Sequence, residues 1–238
     1  MAKERTKIIS VSSSSKKAGK SSLASYLVRE LDADFGLKVS SGGMHSTPET
    51  VITDPVIITR QGTDTGSLVE AGAKQVIWVN TGGSKLKEEL DRALSLFPGG
   101  GLLVVEGNSA LEHLDPDFAV FLMAVPFNEF KSSSRGALSR SDLVLTDLTG
   151  GLSEYSRGRL KSKLEELAPR ARVLFFDDET ERENAWREAA IMARERIIDI
   201  GRPSRAVPVT PPCVRVRTRR FGRVKPCARI PTRRGRAR

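Results

Sequence analysis

The chain has 238 residues and a mass of 26.0 kDa, with 39% hydrophobic and 29% charged residues, a balance typical of a globular protein with a buried core. No run of about 18 apolar residues occurs, so we expect no transmembrane helix. The sequence has only two cysteines, Cys213 and Cys227, which is too few for a disulfide framework and favours a cytoplasmic protein. The net charge of +10 arises at one end, because 13 of the 39 Lys and Arg residues lie in 202–238, which has no Asp or Glu, while 1–201 carry 26 basic and 29 acidic residues.

Short apolar strands alternate with amphipathic helices from residue 6 to about residue 200. The predicted strands, in chain order, are 6–12, 37–41, 75–80, 101–106, 118–125, 142–146 and 172–177. The predicted helices are one with Leu23, Leu27, Val28 and Leu31 on one face, one over 86–97, one from about Ser153 to Pro169, and one over about 181–200. This alternation predicts an α/β fold of three layers, with a mostly parallel sheet and ligands at the carboxyl ends of its strands.

Residues 202–238 are rich in Arg and Pro and have no sustained apolar period. A chain of like charges and prolines cannot offset its ordering entropy by burial, so we expect a disordered basic tail after a single domain over 1–201. The tail is either a solvated extension or an electrostatic arm for nucleic acid or an anionic surface.

A serine-rich and basic loop joins the first predicted strand to the first predicted helix. It consists of Ser14, Ser15, Lys16, Lys17, Ala18, Gly19, Lys20, Ser21 and Ser22. The loop matches the phosphate-binding pattern G-x-x-x-x-G-K-[ST], with Ser14 in place of the first glycine. We therefore expect the N–H groups of residues 14–19 to surround phosphates, Lys20 to reach the terminal phosphates and Ser21 to hold Mg²⁺. The alternative is a serine-rich surface turn.

Two acidic residues are candidates for the metal and for catalysis together with Lys20. Glu106 ends an apolar strand, and Gly107 leaves room beside it. Asp64 lies in a glycine-flanked polar loop, before the Ala-Gly-Ala segment 71–73. Each carboxylate can hold the hydration shell of Mg²⁺ or orient a water molecule. The alternatives are a solvated carboxylate for Glu106 and a turn cap for Asp64.

Three further features are weaker candidates. His45 follows the second strand within a Gly-Gly-Met-His segment, and a single histidine is more often a surface or satisfied polar group than a catalyst. The segment 131–135 (Lys-Ser-Ser-Ser-Arg) is either a lid over phosphates or a solvated loop. Asp147 either reads a purine base or caps the turn that follows it.

Together these residues resemble the molybdopterin-guanine dinucleotide biosynthesis protein B family. The resemblance covers about residues 6–150 and is strongest at 16–21, where Lys16 takes the third position of the phosphate loop, at 64–73 and at 106–107. It departs from the family at Ser14, where the family has glycine, and at residues 40–41, two serines in place of a lysine-containing run.

The resemblance implies a P-loop NTPase fold and a GTP-binding protein, usually dimeric, that helps an enzyme attach a guanine nucleotide to the molybdenum cofactor. It implies that Gly19, Lys20, Ser21 and Ser22 bind the phosphates, that Asp64 and Glu106 manage Mg²⁺ and the hydrolytic water, and that His45 lies nearby. We therefore expect Mg²⁺-dependent binding and slow hydrolysis of GTP, or of ATP, since no base-reading motif is complete. The alternatives are an ATP-dependent small-molecule kinase on the same scaffold and a nucleic-acid-binding protein that acts through its tail.

Overall fold

The computed structural model describes residues 5–40, 50–81, 83–125 and 132–198. His45, Lys131 and the basic tail lie outside these residues. The strands are β1 (Lys7–Ser13), β2 (Phe35–Ser40), β3 (Val51–Ile52), β4 (Gln75–Asn80), β5 (Leu102–Glu106), β6 (Phe118–Ala124), β7 (Leu143–Asp147) and β8 (Arg172–Phe176). The helices are α1 (Lys20–Glu30), α2 (Pro55–Ile58), α3 (Asp64–Glu70), α4 (Leu86–Ser95), α5 (Ser132–Ser139), α6 (Glu154–Leu167) and α7 (Glu179–Ile198).

The described strands form one sheet in the order β3-β4-β2-β5-β1-β6-β7-β8. Every neighbouring pair is parallel except β3 and β4, which are antiparallel. β1 lies at the centre, between β5 and β6, because the chain crosses over after β1 to build one half of the sheet and returns past it to build the other. The carboxyl end of β1 is therefore the place where the two halves of the sheet diverge.

Helices cover both faces of the sheet, as the alternating pattern predicts. One face packs against α1, α3 and α7 through a core that includes Leu23, Leu68 and Ala189. The opposite face packs against α4, α5 and α6 through two smaller clusters, around Leu90 and Leu164. The fold is thus the three-layer α/β arrangement expected from the sequence.

All seven predicted strands are present, with ends displaced by at most two residues. Two short elements, β3 and α2, were not predicted from the sequence, because a two-residue edge strand and a single helical turn are too short to show a period of apolar residues. It also placed residues 62–66 and 132–135 in loops, whereas α3 begins at Asp64 and α5 at Ser132. None of the helices in the described part of the chain is long and apolar enough to span a membrane.

Candidate functional site

The loop between β1 and α1 presents several backbone N–H groups that donate no hydrogen bond within the part of the chain that the structure describes. Gly19 precedes α1 with φ of 87°, a left-handed conformation that favours glycine, and no side chain caps the helix. Among the described residues, no hydrogen bond is donated by the N–H groups of Ser15, Lys16, Lys17 and Gly19. Consecutive free N–H groups at a helix N-terminus form a concave site that suits an anion such as phosphate.

Ser14 has a different role from the one expected. Its N–H donates to the carbonyl of Leu122 on β6 at 2.9 Å, and its hydroxyl accepts a hydrogen bond from the N–H of Ala124 at 3.0 Å. The expectation that the Ser14 N–H faces the phosphates is therefore corrected, because that group extends the β1–β6 ladder. Its φ is not positive, so the position does not require glycine, and the hydroxyl ties the loop to β6 as glycine cannot.

Lys20 points back along the loop and is connected to a network that the sequence did not reveal. Its Nζ lies 3.0 Å from the hydroxyl of Ser13, which in turn donates to the carbonyl of Ser15 at 2.7 Å. The side chain of Asn108 accepts from the N–H of Ser13 at 2.9 Å and donates to its carbonyl at 2.7 Å and to the hydroxyl of Ser134 at 2.9 Å. Asn108 thus fastens the end of β1 to α5. A lone asparagine after Glu106 and Gly107 gives no sequence signal for this role.

The second part of the site is a cluster of oxygen atoms beside the phosphate loop. The Ser21 hydroxyl lies 2.6 Å from Asp64 Oδ1 and 3.1 Å from Glu106 Oε1. Three separate elements bring these groups together, since Ser21 is in the first turn of α1, Asp64 begins α3 and Glu106 ends β5. The structure therefore brings the three residues predicted as metal ligands to one place.

Asp64 reaches the cluster because of its place at the start of a helix. The Thr63 hydroxyl caps α3 by accepting from the N–H of Gly66 at 3.1 Å, so Asp64 itself is not the turn cap that the sequence left open. Glu106 is buried, with a side chain 1% exposed, and is not the solvated carboxylate of the alternative reading. Gly107 allows this position, because a Cβ there would lie 2.5 Å from the carbonyl oxygen of Val39.

Lys38 completes the cluster and was not singled out in the sequence. Its Nζ lies 2.6 Å from Glu106 Oε1 and forms an ion pair with Asp64 as well. Burial lowers the pKa of Lys38, but the charge of Glu106 and the contacts with both carboxylates outweigh it, so that the pKa is raised above its usual value. Burial likewise raises the pKa of Asp64, but the hydrogen bonds from Lys38 and Ser21 outweigh it and hold the pKa below its usual range.

The donor set is suited to Mg²⁺ in particular. Mg²⁺ takes oxygen ligands and is commonly held by one or two carboxylates together with the phosphates of a substrate. Asp64 and Glu106 supply two carboxylates and Ser21 a hydroxyl, and Glu106 Oε2 is buried with no hydrogen-bond partner in the described ranges of the chain. Among the described residues there is no group of three or more His, Cys, Asp or Glu side chains that could hold a metal without such a substrate.

An apolar cavity lies on the same edge of the sheet, beyond β6 and β7. It has a volume of about 220 Å³ and is lined by Val125, Leu148, Gly150, Gly151 and Leu152. A larger depression, of about 690 Å³, is lined only by residues of α6 and shares none with the phosphate loop.

The remaining sequence candidates at this edge are resolved as follows. Asp147 Oδ1 accepts hydrogen bonds from both the N–H and the hydroxyl of Thr149, at 2.9 and 2.7 Å. Asp147 therefore caps the turn that follows β7, which was one of the two roles predicted for it. Residues 132–135 form the first turn of α5, and Ser134 is buried and accepts the hydrogen bond from Asn108. The described part of 131–135 is therefore helical and not a solvated loop.

No protein-family model matches the sequence, and no curated protein matches it. Solved structures that it resembles include the hydrogenase maturation factor HypB from Archaeoglobus fulgidus, with a TM-score of 0.54, 14% identity and coverage of 80% of this chain and 89% of that one. HypB from Helicobacter pylori, in complex with nickel, gives a TM-score of 0.52, 16% identity and coverage of 80% and 88%. At these identities the likeness establishes the fold, which is that of the P-loop NTPases.

Proposed function

We propose that this protein binds a nucleoside triphosphate together with Mg²⁺ and hydrolyses it slowly. The observation that carries the proposal is the adjacency of two features: a loop whose N–H groups donate no hydrogen bond among the described residues, and a Ser21–Asp64–Glu106 cluster that begins in the first turn of the helix that follows the loop. The loop suits the phosphates and the cluster suits the metal that accompanies them. Neither feature alone requires a triphosphate. Together they match the phosphates and the metal ion of a complex between Mg²⁺ and a nucleoside triphosphate.

Each residue has a defined task in this proposal. The N–H groups of residues 15–19 bind the phosphate oxygens, and the Lys20 ammonium exchanges the Ser13 hydroxyl for the terminal phosphates, where it neutralises developing negative charge. Ser21, with Asp64 and Glu106 behind it, holds Mg²⁺, which when bound supplies further positive charge to the phosphates. Glu106, at the end of β5, supplies the carboxylate to which we assign the orientation of the attacking water.

The apolar cavity beyond β6 and β7 is the proposed place for the base. It lies on the edge of the sheet that carries the phosphate loop, and its lining between Val125 and Leu152 offers apolar contact to a flat ring. Asp147, the one acidic candidate for reading guanine, has one carboxylate oxygen engaged by Thr149. We propose GTP as the preferred nucleotide on the strength of the family resemblance.

The same resemblance supports an accessory role in the biosynthesis of the molybdenum cofactor, with a dimer and a biosynthetic enzyme as partners. HypB, whose fold this chain shares, is a hydrogenase maturation factor, and we propose an accessory role for this chain by analogy. The cytoplasm is the proposed compartment, as expected for a chain with two cysteines.

The proposal is tested by calorimetry on the full-length chain with GTP, ATP and their non-hydrolysable analogues, with and without Mg²⁺. We expect saturable binding that Mg²⁺ strengthens, and we expect Lys20→Ala to weaken it about 100-fold, because a charge-assisted contact to phosphate is lost. Lys7→Met, which removes a lysine at the opposite end of β1, is the matched control and should bind normally.

Two outcomes would overturn the proposal: no heat of binding with any nucleotide, or unaltered binding by Lys20→Ala. Turnover measured with and without candidate small-molecule acceptors separates slow hydrolysis from a kinase, because a kinase consumes ATP only when its acceptor is present.

A further inference from the structure

The ammonium group of Lys38 lies where the proposed metal ligands converge. Its Nζ is 2.6 Å from Glu106 Oε1 and is paired with Asp64 Oδ2, while the Ser21 hydroxyl contacts the other oxygen of Asp64 and the same oxygen of Glu106. Lys38 and Ser21 therefore engage three of the four carboxylate oxygens of the cluster. The fourth, Glu106 Oε2, is buried and has no hydrogen-bond partner within residues 5–40, 50–81, 83–125 and 132–198.

The fold holds Lys38 in this position. β2 and β5 are parallel neighbours, and their register sets Lys38 directly opposite Glu106, on the same face of the sheet. The two side chains are 15% and 1% exposed, unlike the surface pair of Lys87 and Asp91, whose side chains are 66% and 59% exposed. The pairing of Lys38 with Glu106 is thus enclosed and little screened by solvent, whereas the Asp64 side chain is 45% exposed.

A divalent cation and this ammonium compete for the same carboxylate oxygen atoms. The cluster has two negative charges and one positive charge, so without a nucleotide it offers a metal ion a net charge of only −1. A cation that contacts Asp64 and Glu106 would also lie close to the Lys38 ammonium, and repulsion between like charges is strong in an enclosed site. A bound triphosphate adds negative charge beside the cluster and can offset both cations.

We propose that Lys38 occupies the divalent-cation site of the nucleotide-free protein and excludes free Mg²⁺ from it. Pairing of Lys38 with Asp64 and Glu106, and binding of a metal ion by the same carboxylates, are mutually exclusive. A consequence is that the metal enters only with a nucleotide, and this consequence rests on the proposed function. The exclusion of free Mg²⁺ by Lys38 does not depend on nucleotide binding.

The exclusion is tested on the nucleotide-free, full-length chain with Mn²⁺, whose paramagnetic resonance signal reports the free ion. We expect weak binding to the wild-type protein and binding at least about tenfold tighter in Lys38→Met, because the competing charge is removed while the carboxylates remain. Lys7→Met is the matched control, since it removes a lysine paired with the largely buried Asp117 at the far end of β1, and should leave Mn²⁺ binding unchanged. Adding Asp64→Asn to Lys38→Met should abolish the gain.

Thermal unfolding provides a second measurement, and its wild-type arm does not depend on whether the variant folds well. We expect millimolar Mg²⁺ to leave the unfolding temperature of the nucleotide-free wild-type protein unchanged, and to raise that of Lys38→Met. The proposal is overturned if the wild-type protein binds Mn²⁺ as tightly as Lys38→Met, or if Mg²⁺ alone stabilises it. Because no nucleotide is present, these results stand apart from the calorimetry that tests nucleotide binding.

Discussion

The amino edge and the carboxyl edge of the sheet use carboxylates in different ways. At the amino edge an aspartate directly precedes each of three strands, β2, β6 and β7, and accepts a hydrogen bond from the backbone of a neighbouring strand. The pairs are Asp34 with the N–H of Leu102 at 3.1 Å, Asp117 with that of Ile8 at 2.9 Å, and Asp142 with that of Ala119 at 2.9 Å. Each of these aspartates also has a basic partner, from Lys74, Lys7 and Arg170 respectively.

At the carboxyl edge, Asp64 and Glu106 contact side chains instead. Among the described residues, their hydrogen-bond partners are the Ser21 hydroxyl and the Lys38 ammonium, and Glu106 Oε2 has none. A bond to the backbone of a strand fixes the position of that strand, whereas a side chain can rotate and exchange one partner for another. Carboxylates of the first kind therefore contribute to stability, and those of the second kind remain available to a ligand.

The largest expected effect is on turnover, and it would test the carboxyl edge. Glu106→Gln keeps the shape of the side chain but removes the charge that is proposed to orient water, so we expect nucleotide binding to survive and turnover to fall about 100-fold. Asp64 remains as a counter-ion for Lys38, so the unfolding temperature should change little. Steady-state hydrolysis and thermal unfolding measure the two effects, and normal turnover would remove Glu106 from the proposed mechanism.

The amino edge should give the opposite result. Asp142→Ala leaves the buried N–H of Ala119 without an acceptor and Arg170 without its partner, which we expect to lower the free energy of unfolding by about 2 kcal/mol. Nucleotide affinity should not change, since Asp142 lies at the far end of β7. Urea unfolding tests the first part, and Asp142→Asn, which keeps an acceptor, should recover some of the loss. A stability loss in Glu106→Gln as large as that in Asp142→Ala would erase the contrast between the two edges.

The sequence allowed the sheet to be predicted because its strands are apolar on both faces and its helices carry clear apolar stripes. The phosphate loop and Glu106 were predictable for a related reason, since each follows a strand that can be recognised. Asp64 was found only as a loop residue: the seven residues of α3 include Thr65, Gly66 and Ser67, which obscure any helical period.

Lys38 and Asn108 could not have been found in this way, because their roles depend on contacts between strands that are distant in the chain. Lys38 faces Glu106 only through the register of β2 and β5, and Asn108 contacts Ser13 across 95 residues. One signal was present: Lys38 is a charged residue between Leu37 and Val39 in an otherwise apolar strand, and a buried lysine requires a partner of opposite charge.

The smallest expected effect is the dependence of Asp64 on pH. Its pKa in the folded protein lies below the usual value of about 3.9, so Asp64 contributes stability above that value and loses the contribution as pH falls through the lowered folded pKa. The raised pKa of Lys38 keeps that residue charged throughout the acidic and neutral range, and its contribution is lost only as pH rises through a folded pKa above 10.5. The difference in unfolding free energy between the wild-type protein and Asp64→Asn should therefore be constant from about pH 5 to pH 8 and shrink below about pH 4.

Because the Asp64 side chain is 45% exposed, the difference should be under about 1 kcal/mol and should fall further in high salt. Urea unfolding over this pH range measures it, and a difference that grows as the solution is acidified would contradict the assignment of Asp64 as the charged partner of Lys38.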